Sequence, residues 1–127
     1  MQLVPAHAAR VARAIALGHP WIYDRAVAPT ALPAGAVAAV HGERAIGCGF
    51  VDPDAPIRVR MLDRDPAAVI DDAWCRARAM AAALRRRDVP ALAVTDAVRA
   101  IHGENDALPG LTIDVYSGTA VVVFDGA

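Results

Sequence analysis

The sequence predicts an α+β chain built in two parts. The first is a small, mostly β barrel with one helix, and the second is one long helix followed by a β-hairpin. Three observations carry this prediction. Between Ala36 and Leu62, three short apolar runs alternate with turn clusters, as in a compact antiparallel sheet. Two other stretches repeat apolar residues at helical spacing. Asp63-Arg64-Asp65-Pro66 lies between the two sets as a polar break.

The elements follow in order. Residues 2–5 read as a short strand. Ala8 to Leu17 reads as an amphipathic helix, with Val11, Ala14 and Ile15 on one face and Arg10 and Arg13 together on another. Gly18 stops it and Pro20 forbids continuation, so Trp21, Ile22 and Tyr23 pack back. After a loop over 29–35 come strands at Ala36–Val40, Ala45–Val51 and Ile57–Leu62. Gly47 and Gly49 within the second predict a bulge or a close backbone approach. The third alternates strictly, with Ile57, Val59 and Met61 on one face and Arg58 and Arg60 on the other.

The second part opens with a helix from about Asp72 to Arg87. Asp71 or Asp72 caps it, and Arg85-Arg86-Arg87 complements the negative end of the helix dipole. Trp74, Ala77, Met80, Ala81 and Leu84 are its expected buried face. Strands at Val98–His102, Leu111–Tyr116 and Ala120–Phe124 follow, the last two joined by a two-residue Ser117-Gly118 turn.

Composition narrows the function. All thirteen basic residues are arginine, yet the net charge is only −1. Arginine-only usage fits a GC-rich genome or phosphate contact; with this net charge, RNA affinity requires a local patch or a charged partner domain. Cys48 and Cys75 form no paired motif and the four histidines share no ligand spacing, so no metal is expected. No apolar run approaches the ~20 residues that span a bilayer. No basic segment with a long apolar core opens the chain, so a soluble, cytoplasmic chain with no membrane partner is expected.

No nucleophile elbow, Walker A loop or H-E-x-x-H motif occurs, and Gly47-Cys48-Gly49 lacks the rest of a dinucleotide fingerprint, so no catalytic residue is assigned. Three groups remain. Trp21 or Tyr23 can stack a base, with His19 and Arg25 close by, or can pack under the barrel. Arg58 and Arg60 can contact phosphates or pair with nearby aspartates. The loop after His102 crowds Gly103, Glu104, Asn105, Asp106, Pro109 and Gly110 between two apolar runs. Its glycines and proline define a shape, and its carboxylates are either an acid–base pair or acceptors that hold the loop rigid, the second being favoured on chemistry.

Four segments together resemble the N-terminal part of the class I SAM-dependent 23S rRNA (cytosine-5) methyltransferases, the large-subunit methyltransferase I group. They are G-H-P-W-I-Y at 18–23, G-C-G-F-V-D-P at 47–53, I-R-V-R-M-L at 57–62 and R-A-I-H-G-E-N-D-A-L-P-G-L-T-I-D-V-Y at 99–116. The resemblance implies a PUA-like, RNA-binding pseudo-barrel over about 1–69 and a partial α/β central domain over 70–127. It also implies a C-terminal SAM-binding domain absent from these residues, so no cofactor is expected here although SAM is expected for full-length members. Structured RNA, 23S rRNA above all, is then the expected partner, with Arg10, Arg13, His19, Trp21, Arg58 and Arg60 as its contacts. Gly103, Glu104, Asp106, Pro109 and Gly110 form the signature loop, whose carboxylates are expected to support an interface. Ala107 stands where the family usually has glycine, and a positive φ there costs alanine on the order of 1 kcal/mol. The alternative expectation is a scaffold or homodimerisation module that docks on a catalytic domain and binds no RNA.

Overall fold

A computed structural model of the chain describes residues 1–125. It packs as two units, Met1–Val69 and a second that begins at Ile70. The described residues hold two α-helices and two antiparallel sheets, an α+β composition. No helix is long and apolar enough to cross a membrane.

The first unit contains helix α1 (Pro5–Ala16) and strands β1 (Trp21–Tyr23), β2 (Val37–His41), β3 (Ala45–Val51) and β4 (Ile57–Asp63). The sheet order is β1-β4-β3-β2, antiparallel throughout. Residues 2–5 do not form the expected strand. Pro5 takes the first turn of α1, where its missing N–H forfeits no bond, so the helix starts three residues before Ala8.

Only Gln2 and Leu3 keep strand-like bridges, to His41 and Val27 respectively. Leu3 N donates to the His41 carbonyl at 2.8 Å, and Ala28 N donates to the Gln2 carbonyl at 2.9 Å. The N-terminal residues thus tie the end of β2, one sheet edge, to the segment that follows β1, the other edge. Leu3, Ile15, Ile22, Val40 and Val59 fill the interior.

The glycines of β3 are there because β4 lies against them. A Cβ on Gly47 would sit 2.3 Å from the Asp63 carbonyl oxygen, and one on Gly49 would sit 2.5 Å from that of Arg60. Pairing also slips between Cys48 and Gly49, so the expected bulge and close approach both occur.

The second unit contains α2 (Asp72–Arg87), β5 (Ala97–His102), β6 (Leu111–Tyr116) and β7 (Thr119–Phe124), with sheet order β5-β6-β7. The Asp71 carboxylate caps α2 by accepting from Trp74 N at 2.8 Å. Ser117 and Gly118, with φ of 46° and 84°, make the two-residue hairpin turn. Ala82, Ile101 and Leu108 form the core, with Trp74, Ala79, Leu111 and Ile113 packed on it.

The expected buried face of α2 is corrected. Met80 and Leu84 are exposed, and Ala77 and Ala81 with them; Trp74, Arg78, Ala79, Ala82 and Arg86 face the sheet instead. Two arginines thus lie on the covered side, their stems packed and their heads held by partners. Arg78 lies over the Trp74 ring at 3.6 Å from its centre, and Arg86 is held by the loop described below.

Candidate nucleic-acid interface

Strand alternation positions the first group of side chains. Ile22 of β1 points into the core, which turns Trp21 and Tyr23 to the opposite face. His19, on the approach to β1, accepts the Trp21 backbone N–H on Nδ1 at 3.1 Å. That bond leaves Nε2 as the ring's outward polar atom. The His19 ring stands edge-on to Trp21 at 6.1 Å and to Tyr23 at 6.3 Å between centroids.

Helix α1 faces these rings across a cavity of about 450 Å³. Arg10, Val11 and Ala14 line it from α1; His19, Trp21 and Tyr23 line it from β1 and its approach; Arg25 lines it from the tight turn Asp24–Ala26. A second cavity of about 360 Å³ also includes Asp24 and Arg25, together with Thr30, Pro53 and Arg58. Arg58 Nη1 donates to the Asp52 carbonyl at 3.4 Å. Arg60 lies opposite Trp21 across β1–β4 and opposite Phe50 across β3–β4, so these three share the outer sheet face.

Of the six expected contacts, then, the fold brings Arg10, His19 and Trp21 to one cavity, sets Arg60 beside Trp21 and places Arg58 at the adjoining cavity. Arg13 is exposed in the last turn of α1 and lines neither. Tyr23 and Arg25, named with Trp21 and His19 as the group that can stack a base, line the same cavity. The alternation that turns Trp21 outward also selects Tyr23, and Arg25 follows two residues later.

In the loop of Gly103, Glu104, Asp106, Pro109 and Gly110, one carboxylate acts as an acceptor that holds the loop rigid. Asp106 is 5% exposed and turned inward. It accepts from Arg86 Nη2 at 2.6 Å and Nη1 at 3.1 Å, from Arg85 Nη2 at 2.6 Å and from the His102 backbone N–H at 2.7 Å. Burial alone pushes its pKa up; the hydrogen bonds from Arg86, Arg85 and His102 outweigh it and hold the pKa at about 2. A carboxylate so fully engaged is no general base. Arg86 is the main partner, being far less exposed than Arg85, and it also donates to the Arg99 carbonyl, so the loop, α2 and β5 are tied at one point.

Gly103 turns at φ 48° and Gly110 at φ 77°, while Pro109 and Leu108 are buried. Glu104 carries one of the loop's own turns, its carbonyl accepting from Ala107 N at 3.1 Å. Ala107 is left-handed, at φ 55° and ψ 34°, so the position does take the positive φ that costs alanine on the order of 1 kcal/mol.

Among the described residues, no three His, Cys, Asp or Glu side chains gather as a metal site. Both sheets are antiparallel, so the described residues form no parallel-sheet switch point of the kind that cradles a nucleotide cofactor.

Residues 8–64 match the PUA-like domain family. Over 113 residues the chain is 36% identical to a ribosomal RNA large subunit methyltransferase of Deinococcus radiodurans, covering 83% of this chain and 28% of that protein. It is 35% identical over 108 residues to the ribosomal RNA large subunit methyltransferase I of Alteromonas mediterranea, covering 82% and 27%. The chain therefore spans just over a quarter of the length of these relatives. Its fold matches that of a methyltransferase solved with SAH at a TM-score of 0.83 and 14% identity, over all of this chain and 33% of that one. A SAM-dependent methyltransferase from Streptococcus mutans matches at 0.72. Over this quarter of their length the chain is similar to the ribosomal RNA large subunit methyltransferases, and residues 8–64 of the chain are PUA-like.

Proposed function

We propose that this chain grips structured RNA, a segment of 23S rRNA, and orients it for a cytosine-5 methyltransferase. The observation that carries this is the gathering of Arg10, His19 and Trp21 around one cavity of the PUA-like unit, with Arg60 beside Trp21 and Arg58 at the adjoining cavity. Guanidinium groups supply phosphate contact and the rings supply stacking, which suits a chain whose net charge of −1 rules out bulk attraction. Residues 70–127 serve in this reading as the start of a central domain. Methyl transfer from S-adenosylmethionine falls to further length of the kind the relatives have, in the cytoplasm where the ribosome is.

The test is titration of the full chain with a structured 23S rRNA fragment at several salt concentrations. Salt-sensitive binding that weakens in Arg58→Ala/Arg60→Ala supports the proposal; binding that is absent, or indifferent to both salt and the double substitution, overturns it.

A second reading, a docking or dimerisation module, rests on a separate observation. Strand β7 is an edge strand with Val121, Val122, Val123 and Phe124 exposed, and apolar edges of this kind invite pairing. Size measurement discriminates: that reading predicts a stable dimer and no RNA binding.

A further inference from the structure

We infer that the larger cavity takes one unpaired nucleotide, and that Arg25 carries the strand from it into the second cavity, past Arg58. This rests on the RNA-binding reading above and adds to it which form of RNA enters and by which path. Three features of the cavity point the same way. Its volume of about 450 Å³ suits a single small ligand, and its walls are mostly apolar. Its aromatic side is Trp21 and Tyr23, each in a T-shaped contact with His19, which supplies ring surface on which a base can stack. Arginines line it from two separate elements, Arg10 from α1 and Arg25 from the turn after β1, and can meet the phosphates flanking an inserted base.

A base in a duplex cannot reach such a site, because both its faces are already stacked and its edge is paired. A loop or bulge nucleotide can, since its π-faces are free. Sharing of Asp24 and Arg25 by the two cavities sets the path. Arg25 is exposed and sits where they adjoin, so one phosphate held there places the next nucleotide over Thr30 and Pro53, within the cavity that Arg58 lines. Asp24 repels a phosphate that strays from Arg25 and so narrows the path. Arg60, on the outer sheet face, lies outside both cavities and is left to contact the stem of a structured RNA.

The experiment uses the full chain and two RNA hairpins of one sequence, one with 2-aminopurine in the loop and the other with it in the stem. Tyr23 and Arg25 are both exposed, so Tyr23→Ala and Arg25→Ala keep the fold, which the Trp21 emission and a thermal melt verify. The expected result is a change of 2-aminopurine fluorescence for the loop label alone. Tyr23→Ala then weakens hairpin binding by about tenfold, Tyr23→Phe restores it, and Arg25→Ala lowers the salt slope by about 0.7. Equal response of the stem label, or hairpin binding unchanged in Tyr23→Ala and Arg25→Ala, overturns the inference while RNA binding through Arg58 and Arg60 stands. No binding of either hairpin overturns the RNA-binding reading as well.

Discussion

At Ala107 the chain tolerates a left-handed alanine in a loop otherwise shaped by glycine and proline. The residue is exposed, so nothing in the surroundings requires its methyl group. Ala107→Gly relieves a strain of about 1–2 kcal/mol and returns part of it as unfolded-chain entropy. The expected net gain is about 0.5–1 kcal/mol in a urea titration in a Trp21→Phe background, where Trp74 is the sole tryptophan and reports on the second unit.

Asp106 makes the opposite case. Its folded pKa of about 2 lies below the ordinary 3.8, so its contribution is present above about pH 4 and is lost as pH falls towards 2. That shift corresponds to about 2 kcal/mol. Asp106→Asn should therefore lower second-unit stability by at least that much at pH 7, and should flatten the decline between pH 4 and pH 2. A parallel decline in wild type and variant would assign the acid sensitivity elsewhere.

At the scale of elements, the strands were more legible than the faces of the second helix. Gly47 and Gly49 announce a close approach because nothing else in a seven-residue strand would be small twice. Gly47→Ala should cost several kcal/mol, since its Cβ meets a backbone oxygen at a positive φ of 144°. Gly118→Ala, at φ 84° with open space around it, should cost only about 1 kcal/mol. Thermal melts of the two variants make the comparison. The face of α2 was misread because helical spacing of apolar residues offers Ala77, Met80, Ala81 and Leu84 as a stripe. Its rotation is set instead by Arg86 reaching a carboxylate 20 residues away, a pairing no local pattern encodes. The same long-range bond turns the Asp106 carboxylate inward, as the reading of the loop's carboxylates as rigidifying acceptors expects.

Over the whole molecule, the candidate site was half legible. Arg10, His19 and Trp21 lie within a dozen residues, and one tight turn suffices to bring α1 against β1. Arg13 was chosen for its place beside Arg10 on a helical wheel, but the cavity follows Arg10, Val11 and Ala14. Tyr23 and Arg25 were legible beside Trp21 in one short segment, and the strand's alternation turns Tyr23 to the same side as Trp21.

The salt dependence of RNA binding tests the central claim most directly. In the proposed function, the full chain binds a structured 23S rRNA fragment with an affinity that falls steeply as salt rises. Each of Arg10→Ala and Arg60→Ala reduces the log–log slope by about 0.7–0.9. A chain that binds no RNA at low salt, or binds with a slope that neither substitution changes, contradicts it.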